Sequence, residues 1–395
     1  MKLLFIKAGK ALKTLQRDGI IKGGRRVFAA FFAMFGRVRP ADVLIITGGV
    51  GDSARYRAHH VAEELELNGI TASVTIQDNP LLATYSDKFK VFIFHRVLYT
   101  PSVQKLIENI KKQKKEIIFE TDDLVYDPQY LSHMDYFKQM NLLERKLYEN
   151  GVGGEILNDP YVKTCTTTTD FLADKLRGQD KRVFIVPNKL CKRDVEIANE
   201  ISEKLKVKSE RKDEVVKIGY FSGTLSHNKD FATVTDALVE LMRRHENVEL
   251  CLVGPLDMDS KLNKYKDRIK QFPYVPREKH FGNVASVDIN IAPLEIGNPF
   301  CESKSELKYF EASIVCVPSV CAATDPYRKA IEDGVDGFVA SGTDEWIQKL
   351  EELIENGELR KRMGEGAREK TMARYTTVNA KNGEYYEYLK LKVKG

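Results

Sequence analysis

The chain has 395 residues, 43% of them hydrophobic and 30% charged, with 13 prolines. At roughly 150 residues per domain this length suits two or three domains, and the composition excludes both a disordered chain and a polytopic membrane protein. The formal charge of +5 is unevenly spread, because residues 1–39 hold ten Lys or Arg against the single acid Asp18, a local +9 that leaves −4 for the other 356 residues.

In the N-terminal segment the basic residues are interleaved with Leu3, Leu4, Phe5, Ile6, Leu12, Leu15, Ile20 and Ile21, and VFAAFFAMF follows at 27–35. That apolar run is too short to cross a hydrocarbon core, which takes about 20 residues of helix. A secretory signal is also a poor fit, since the run comes late, Arg37 and Arg39 follow at once, and no small-x-small cleavage site is present. The expected structure is a basic amphipathic arm, in one helix or two broken at Gly23 and Gly24. It would lie on an anionic membrane surface with Phe and Leu in the interface. A helical arm packed on its own domain or on another subunit is the alternative. The acidic body lacks the cations that neutralise phosphates along a duplex, so nucleic acid is not an expected partner. The six cysteines form no CxxC pair and have no His at ligand spacing, so neither zinc nor a disulfide framework is expected. The expected location is cytoplasmic, peripherally attached to the inner face of the cell membrane.

From Asp42 the pattern is strand, turn, helix, repeated. Strands are expected at VLIITGG (43–49), TASVTI (71–76), VFIFH (91–95) and EIIFE (116–120), and helices over 53–68 and 102–114. The half closes on VFIVPN (183–188). After a polar stretch read as a linker or hinge, the pattern resumes with VKIGYFSG (216–223), a helix over about 231–244, VELCLVG (248–254), ASVDINIAPL (285–294), and helices over about 304–314 and 345–355. Apolar runs alternating with amphipathic helices imply parallel sheets covered on both faces. The expected class is therefore α/β, with two Rossmann-like domains facing across a cleft. The expected division is an arm over 1–39, an N-terminal domain over 40–189, a linker over 190–213, a C-terminal domain over 214–372, and a C-terminal helix over 373–395 that returns to the N-terminal domain.

In open parallel sheets ligands sit beyond the carboxyl ends of the strands, and four places there carry chemistry. In KSELKYFEA (304–312), Ser303 and Glu306 read as an S-x-x-E capping box that starts a helix at Lys304, with Lys304, Lys308 and Glu311 on one face. A lysine in the first turn opposes the helix dipole at a cost of up to about 1 kcal/mol, a cost that disappears if an anion is held there by backbone N–H groups and ammonium groups. The turn from Gly223 and Thr224 to Lys229 puts another lysine ahead of a helix, suited to a diphosphate. Gly49-Val50-Gly51-Asp52-Ser53-Ala54 fits the G-x-G-x-x-A dinucleotide fingerprint, but the expected acid is represented only by Asp78, and Arg55 and Arg57 crowd the turn, suiting an anionic or sugar-phosphate ligand. Lastly, His95-Arg96 and Glu120-Thr121-Asp122-Asp123 end two strands, where an imidazole and carboxylates can bind hydroxyls, or the carboxylates a divalent ion.

The G-x-x-x-x-x-K turn at 223–229 and KSELKYFEA, with VPN (186–188), IEDGVDGFV (331–339) and EWIQKLEELIENGELRKRMGEGARE, resemble the C-terminal half of glycosyltransferase family 4, the retaining GT-B enzymes. The resemblance is strong over 183–375 and looser over 42–182. It implies a nucleotide-sugar donor (UDP, GDP or dTDP) on the C-terminal domain, a saccharide or lipid-linked acceptor on the N-terminal one, no required metal, and a role in surface-polysaccharide synthesis. Glu311 matches the second glutamate of the family's E-x7-E motif, which binds the donor ribose. Lys229 matches the diphosphate lysine and His95 a sugar-contacting histidine. Gly223, Thr224, Lys304, Ser305 and Lys308 complete the donor side implied, and Gly49, Gly51, Arg55, Arg57, Arg96, Asp122 and Asp123 the acceptor or phosphate side. Two positions depart from the pattern. Ser303 stands where the first glutamate belongs, with Glu302 one residue away, and Thr224 stands where the family has an arginine, with Lys304 or Lys308 as replacement cations. An epimerase of the same architecture, a silent glycan-binding subunit, and a nicotinamide-dependent oxidoreductase resting on the 49–54 fingerprint remain as alternatives.

Overall fold

The computed structural model describes residues 9, 19, 23–25, 27–29, 31–134, 137, 140, 142–146, 148–207, 215–222, 228–254 and 256–394. Gly223, Thr224 and most of the 1–39 arm lie outside the described residues. The chain forms two compact units, one of residues 1–132, 137–187 and 381–395, the other of residues 133–136 and 188–380.

Unit 1 is built on six strands: β1 (Val43–Thr47), β2 (Ala72–Ile76), β3 (Val91–His95), β4 (Glu116–Thr121), β5 (Thr164–Thr167) and β6 (Arg182–Ile185). Their order is β2-β1-β3-β4-β5-β6 and every pairing is parallel. β1 and β3 are buried along their whole length, which is why they read as continuous apolar runs. β5, TCTT, gave no such run, yet it too is buried. Its hydroxyls find acceptors: Thr167 donates to the Thr121 carbonyl at 2.8 Å and Thr164 shares a 2.7 Å bond with the Tyr388 hydroxyl, so threonine's branched shape packs without a stranded polar group. Tyr388 belongs to the helix Gly383–Lys394, whose Tyr385, Tyr386 and Leu389 join Val43, Ile45 and Phe184 in the unit 1 core.

Unit 2 has β7 (Val216–Phe221), β8 (Val248–Val253), β9 (Ile269–Phe272), β10 (Ile289–Ala292), β11 (Ser319–Ala322) and β12 (Phe338–Ala340), in the parallel order β12-β11-β10-β7-β8-β9. The strand order reverses between β7 and β10, and in unit 1 between β1 and β3, so the loops after those strands splay apart and leave a crevice. The stretch expected as a linker is a helix over Lys192–Val207. Its buried Val195 and Ala198 lie one turn apart among charged residues, a sparse apolar stripe that suffices when a helix lies on a larger body. The helix expected over 231–244 is broken into Asn228–Ala232 and Thr235–Arg244.

The unit 1 crossover is tight at a glycine outside the expected fingerprint. A Cβ on Gly48 would lie 1.9 Å from the Arg96 carbonyl oxygen, whereas at Gly49 and Gly51 it would meet nothing within 4 Å. Gly48→Ala should therefore lower unfolding free energy by about 1–3 kcal/mol, since backbone must shift to admit the methyl group, while Gly49→Ala should stay within about 1 kcal/mol of wild type. Urea denaturation of the two variants compares them directly.

Candidate active site

Strand register brings the unit 1 site together. Thr47 pairs with His95 across β1 and β3, His95 with Glu120 across β3 and β4, and Glu120 with Thr166 across β4 and β5, so four polar side chains form one row near the carboxyl edge. His95 is buried, with Nδ1 3.1 Å from Thr47 Oγ1 and Nε2 3.0 Å from Ser53 Oγ. The Ser53 hydroxyl donates to Asp122 Oδ2 at 2.7 Å. Its oxygen is then left to accept from His95, which places a proton on Nε2, while Nδ1 faces a Thr47 hydroxyl that also reaches the Gly49 carbonyl at 3.3 Å. Burial by itself would raise Asp122, but Arg96, His95 and Ser53 hold its carboxyl well below the usual range. Asp123 is shifted upward, by burial and by Asp122, against the pull of Arg96.

Arg96 adopts a left-handed backbone conformation (φ 49°). Its Nε reaches Asp122 at 2.5 Å and its Nη2 reaches Asp123. Thr47, Ser53, His95 and Arg96 line a cavity of about 230 Å3 with Gly49, Gly51, Gln77 and Tyr148, while Asp122 and Asp123 stand behind Arg96 and outside that lining. The arginine-rich anion mouth expected from the sequence does not form. Arg55 pairs with Asp52 at 2.5 Å. Arg57 is buried, donating to Glu120 Oε1 and to the Val186 carbonyl, each at 2.7 Å. It sits in a π-helical turn, Arg55–His59, inside the longer helical run from Asp52 to Leu67, and that turn aims it at the sheet rather than the cavity. Glu120 is likewise spent on Arg57 and Thr166, so the expected carboxylate cluster divides into a structural Glu120 and an Arg96-bound Asp122 and Asp123.

In unit 2 the capping box is absent. Pro299–Glu302 forms its own short turn of helix, capped by the Asn298 side chain, and the buried Ser303 donates to the Phe300 carbonyl at 2.8 Å. The next helix begins only at Leu307 and runs to Ser313, so Lys308, not Lys304, stands in its first turn. Lys304 instead extends from the loop to Asp230, Nζ to Oδ2 2.7 Å, while Cys301 Sγ donates to Oδ1 at 3.1 Å. Burial alone would lower Lys304, but Asp230 raises it. Lys308 lies over the Tyr220 ring, 4.5 Å from its centroid, and burial together with the neighbouring Lys304 brings it down to about 8. Lys229 is exposed in the first turn of Asn228–Ala232, next to Asp230. Ser305 Oγ accepts from the Asn188 side chain at 2.9 Å. Glu302 accepts from the Gly297 N–H at 2.9 Å.

Glu311 is buried and held from one helix, Arg277–Val284: Arg277 Nη1 donates to Oε1, and His280 Nε2 lies 3.2 Å from Oε2. Arg277 also grips Asp194 with two 3.0 Å bonds. Sequence reasoning passed over both Arg277 and His280, although their spacing of three on one helix was a signal that they share a face. Ser53 and Asp230 were visible only as members of turns. Two groups within unit 2 could hold a cation, Asp230–Glu295–Cys301 and His245–Glu351–Glu355, but Lys304 and Arg244 already bring positive charge to them.

Residues 202–370 match the family model of glycosyl transferases group 1. Over that stretch the chain is similar to group 1 glycosyltransferases, which supports a transferase. As a transferase it also shares its fold with solved structures over most of its length. HepE of Anabaena, in complex with UDP, gives a TM-score of 0.59 at 15% identity over 89% of this chain and 100% of that one. Sucrose-phosphate synthase from Thermosynechococcus elongatus gives 0.59 at 12% identity over 89% and 99%. A glycosyltransferase from Rickettsia africae gives 0.58 at 14% over 89% and 99%. The α/β architecture expected from the sequence is thus the GT-B fold of these proteins. No curated protein sequence matches the chain.

The two arginines that follow β1, Arg55 and Arg57, should part company on mutation. Arg57→Ala strands the buried Glu120 and should cost about 3–5 kcal/mol of unfolding free energy. Arg55→Ala, which breaks a solvated pair, should cost no more than about 1 kcal/mol. Equal losses in guanidinium denaturation would contradict this division.

Proposed function

We propose that the protein is a retaining glycosyltransferase of family 4 type, moving a sugar from a nucleotide-sugar donor to a saccharide or lipid-linked acceptor in cell-surface polysaccharide synthesis. The observation that carries the reading is Lys308, a half-buried cation in a first helical turn whose pKa is brought down to about 8 by burial and by Lys304, beside a carboxylate, Glu311, oriented by two neighbours. In this reading Glu311 accepts from the ribose diol, and Lys308 and Lys229 meet the diphosphate. Lys304 sets the potential around them. The sugar C1–oxygen bond to the diphosphate breaks, the acceptor hydroxyl attacks from the same face through an oxocarbenium-like state, and its proton passes to the departing phosphate oxygen. Negative charge grows on that oxygen as the bond breaks, so a preorganised cation there favours the transition state over the ground state. Work at the inner face of the cell membrane is part of the same proposal, supported by the basic segment 1–39. Among the described residues no helix is long and apolar enough to cross a membrane.

Uridine donors are the first to test, because HepE is solved with UDP-glucose. Above about pH 8 the unliganded Lys308 loses its proton, whereas a bound diphosphate favours the charged form. Nucleotide binding should therefore take up a proton between about pH 8 and the ordinary lysine range near 10, seen by calorimetry in buffers of different ionisation enthalpy. Lys308→Ala should abolish that uptake and slow sugar transfer by about 100-fold or more. Proton uptake and turnover both unchanged in this variant would remove Lys308 from the mechanism. We further propose that no metal takes part, so turnover should survive an excess of chelator; its loss would call for a cation at the diphosphate.

A further inference from the structure

Four phenylalanines, Phe28, Phe31, Phe32 and Phe35, are linked by steps of three (28–31, 32–35) and four (28–32, 31–35), which places them on one helical face. The described residues among 23–33 are helical, closing in a turn at 34 and 35 where the N–H groups of Met34 and Phe35 bond the carbonyls of Phe31 and Phe32. The four rings are 64%, 53%, 53% and 58% exposed. They also touch one another, with centroids 4.4 Å apart for Phe28 and Phe32 and 5.3 Å for Phe31 and Phe35. Such a contiguous exposed aromatic patch marks a contact face.

Charge selects what the face contacts. Arg25, Arg37 and Arg39, also exposed, flank the rings, and the sequence has no acid between Asp18 and Asp42. An apolar wedge edged by cations alone, with no carboxylate to pair a partner's lysines, is complementary to an anionic lipid surface. We propose that the Phe28–Phe31–Phe32–Phe35 face seats at the headgroup–acyl boundary of an anionic bilayer, with Arg25, Arg37 and Arg39 meeting the headgroups. This rests on the membrane part of the functional reading and sharpens it, because the attachment then depends on four named rings and not on charge alone.

The test uses the full chain and vesicles of phosphatidylcholine with or without about 30% phosphatidylglycerol, whose anionic headgroups give the surface a negative potential. The wild-type protein is expected to co-sediment with the anionic vesicles, to bind neutral ones at least tenfold more weakly, and to keep part of its binding at high salt, since apolar insertion is not screened. Phe28→Ser, Phe31→Ser, Phe32→Ser and Phe35→Ser together should lower binding to anionic vesicles at least tenfold and leave nothing at high salt. Their nucleotide affinity, measured without vesicles, should match wild type, which separates loss of the membrane face from failure of the transferase reading. A Phe31→Trp variant tests insertion without removing the face. Its emission, taken as the difference from a wild-type spectrum that arises from the buried Trp346, should shift to the blue and be quenched by brominated acyl chains. Unaltered sedimentation of the fourfold variant, or no shift in the difference emission of Phe31→Trp on anionic vesicles, overturns the proposal. So does a wild-type dimer that becomes a monomer in the fourfold variant, because the face would then be covered by a second copy.

Discussion

Both units are organised by burial of parallel sheets on two faces. Strands such as β1 and β3 have no solvated side on which to carry polar chemistry, so chemistry is pushed to the carboxyl edges, and most strongly to the places where strand order reverses. Thr47, His95 and Glu120 occupy neighbouring strands in one register row for this reason, and Gly48 must be a glycine because two chains pass closely at that reversal. In unit 2 the same constraint sets the Lys229 turn beyond β7 and the loop of Lys304 beyond β10, where Asp230 ties them together.

The two sites are opposite in electrostatic character. In unit 1 every arginine near the cavity has its own carboxylate, so the groups presented are largely hydroxyl, amide and imidazole, better suited to a neutral polyhydroxyl group than to a phosphate. In unit 2, Lys304 is compensated by Asp230, but Lys308 is held in a half-buried place beside another cation, at the positive end of a helix. Folding keeps a proton off this amine that the unfolded chain would retain to a higher pH, so the group costs stability below about pH 8, a cost that fades as pH rises towards the ordinary lysine range. A tension of that sign is relieved by an anion.

Much of this was legible in the sequence wherever burial was expressed as an apolar run. The strands at 43–49, 71–76, 91–95 and 116–120 formed close to their expected limits, and the turns that follow them do carry the polar groups. Legibility failed where polar residues are buried in mutual pairs. TCTT carries no apolar run, and its burial rests on partners supplied by Thr121, Glu120 and Tyr388, while Arg57 reads as a ligand-facing cation until the π-turn delivers it to Glu120. The S-x-x-E pattern at Ser303 misled because Asn298 and Pro299 offer an earlier start signal, which consumes Ser303 before the helix at Leu307 begins. Such pairings join residues distant along the chain, beyond the reach of any local pattern. Arg277, linking Asp194 to Glu311, is the same case.

The helix Gly383–Lys394 bears on how the chain is made. Its tyrosines and Leu389 complete a core whose other members include β1 and β3, separated from it by all of unit 2. Ribosomal synthesis delivers those strands before unit 2 and their cover after it, so unit 2, contained within residues 133–380, is fully emerged while the apolar face awaiting Tyr385 and Leu389 is still open. The later-made unit is thus the first that can close, and the earlier-made sheet must be kept from other exposed strands in the meantime. The hydrogen bonds that seat this helix, from Tyr386 to Glu64 and from Tyr388 to Glu116, therefore form only after the whole of unit 2 has been made.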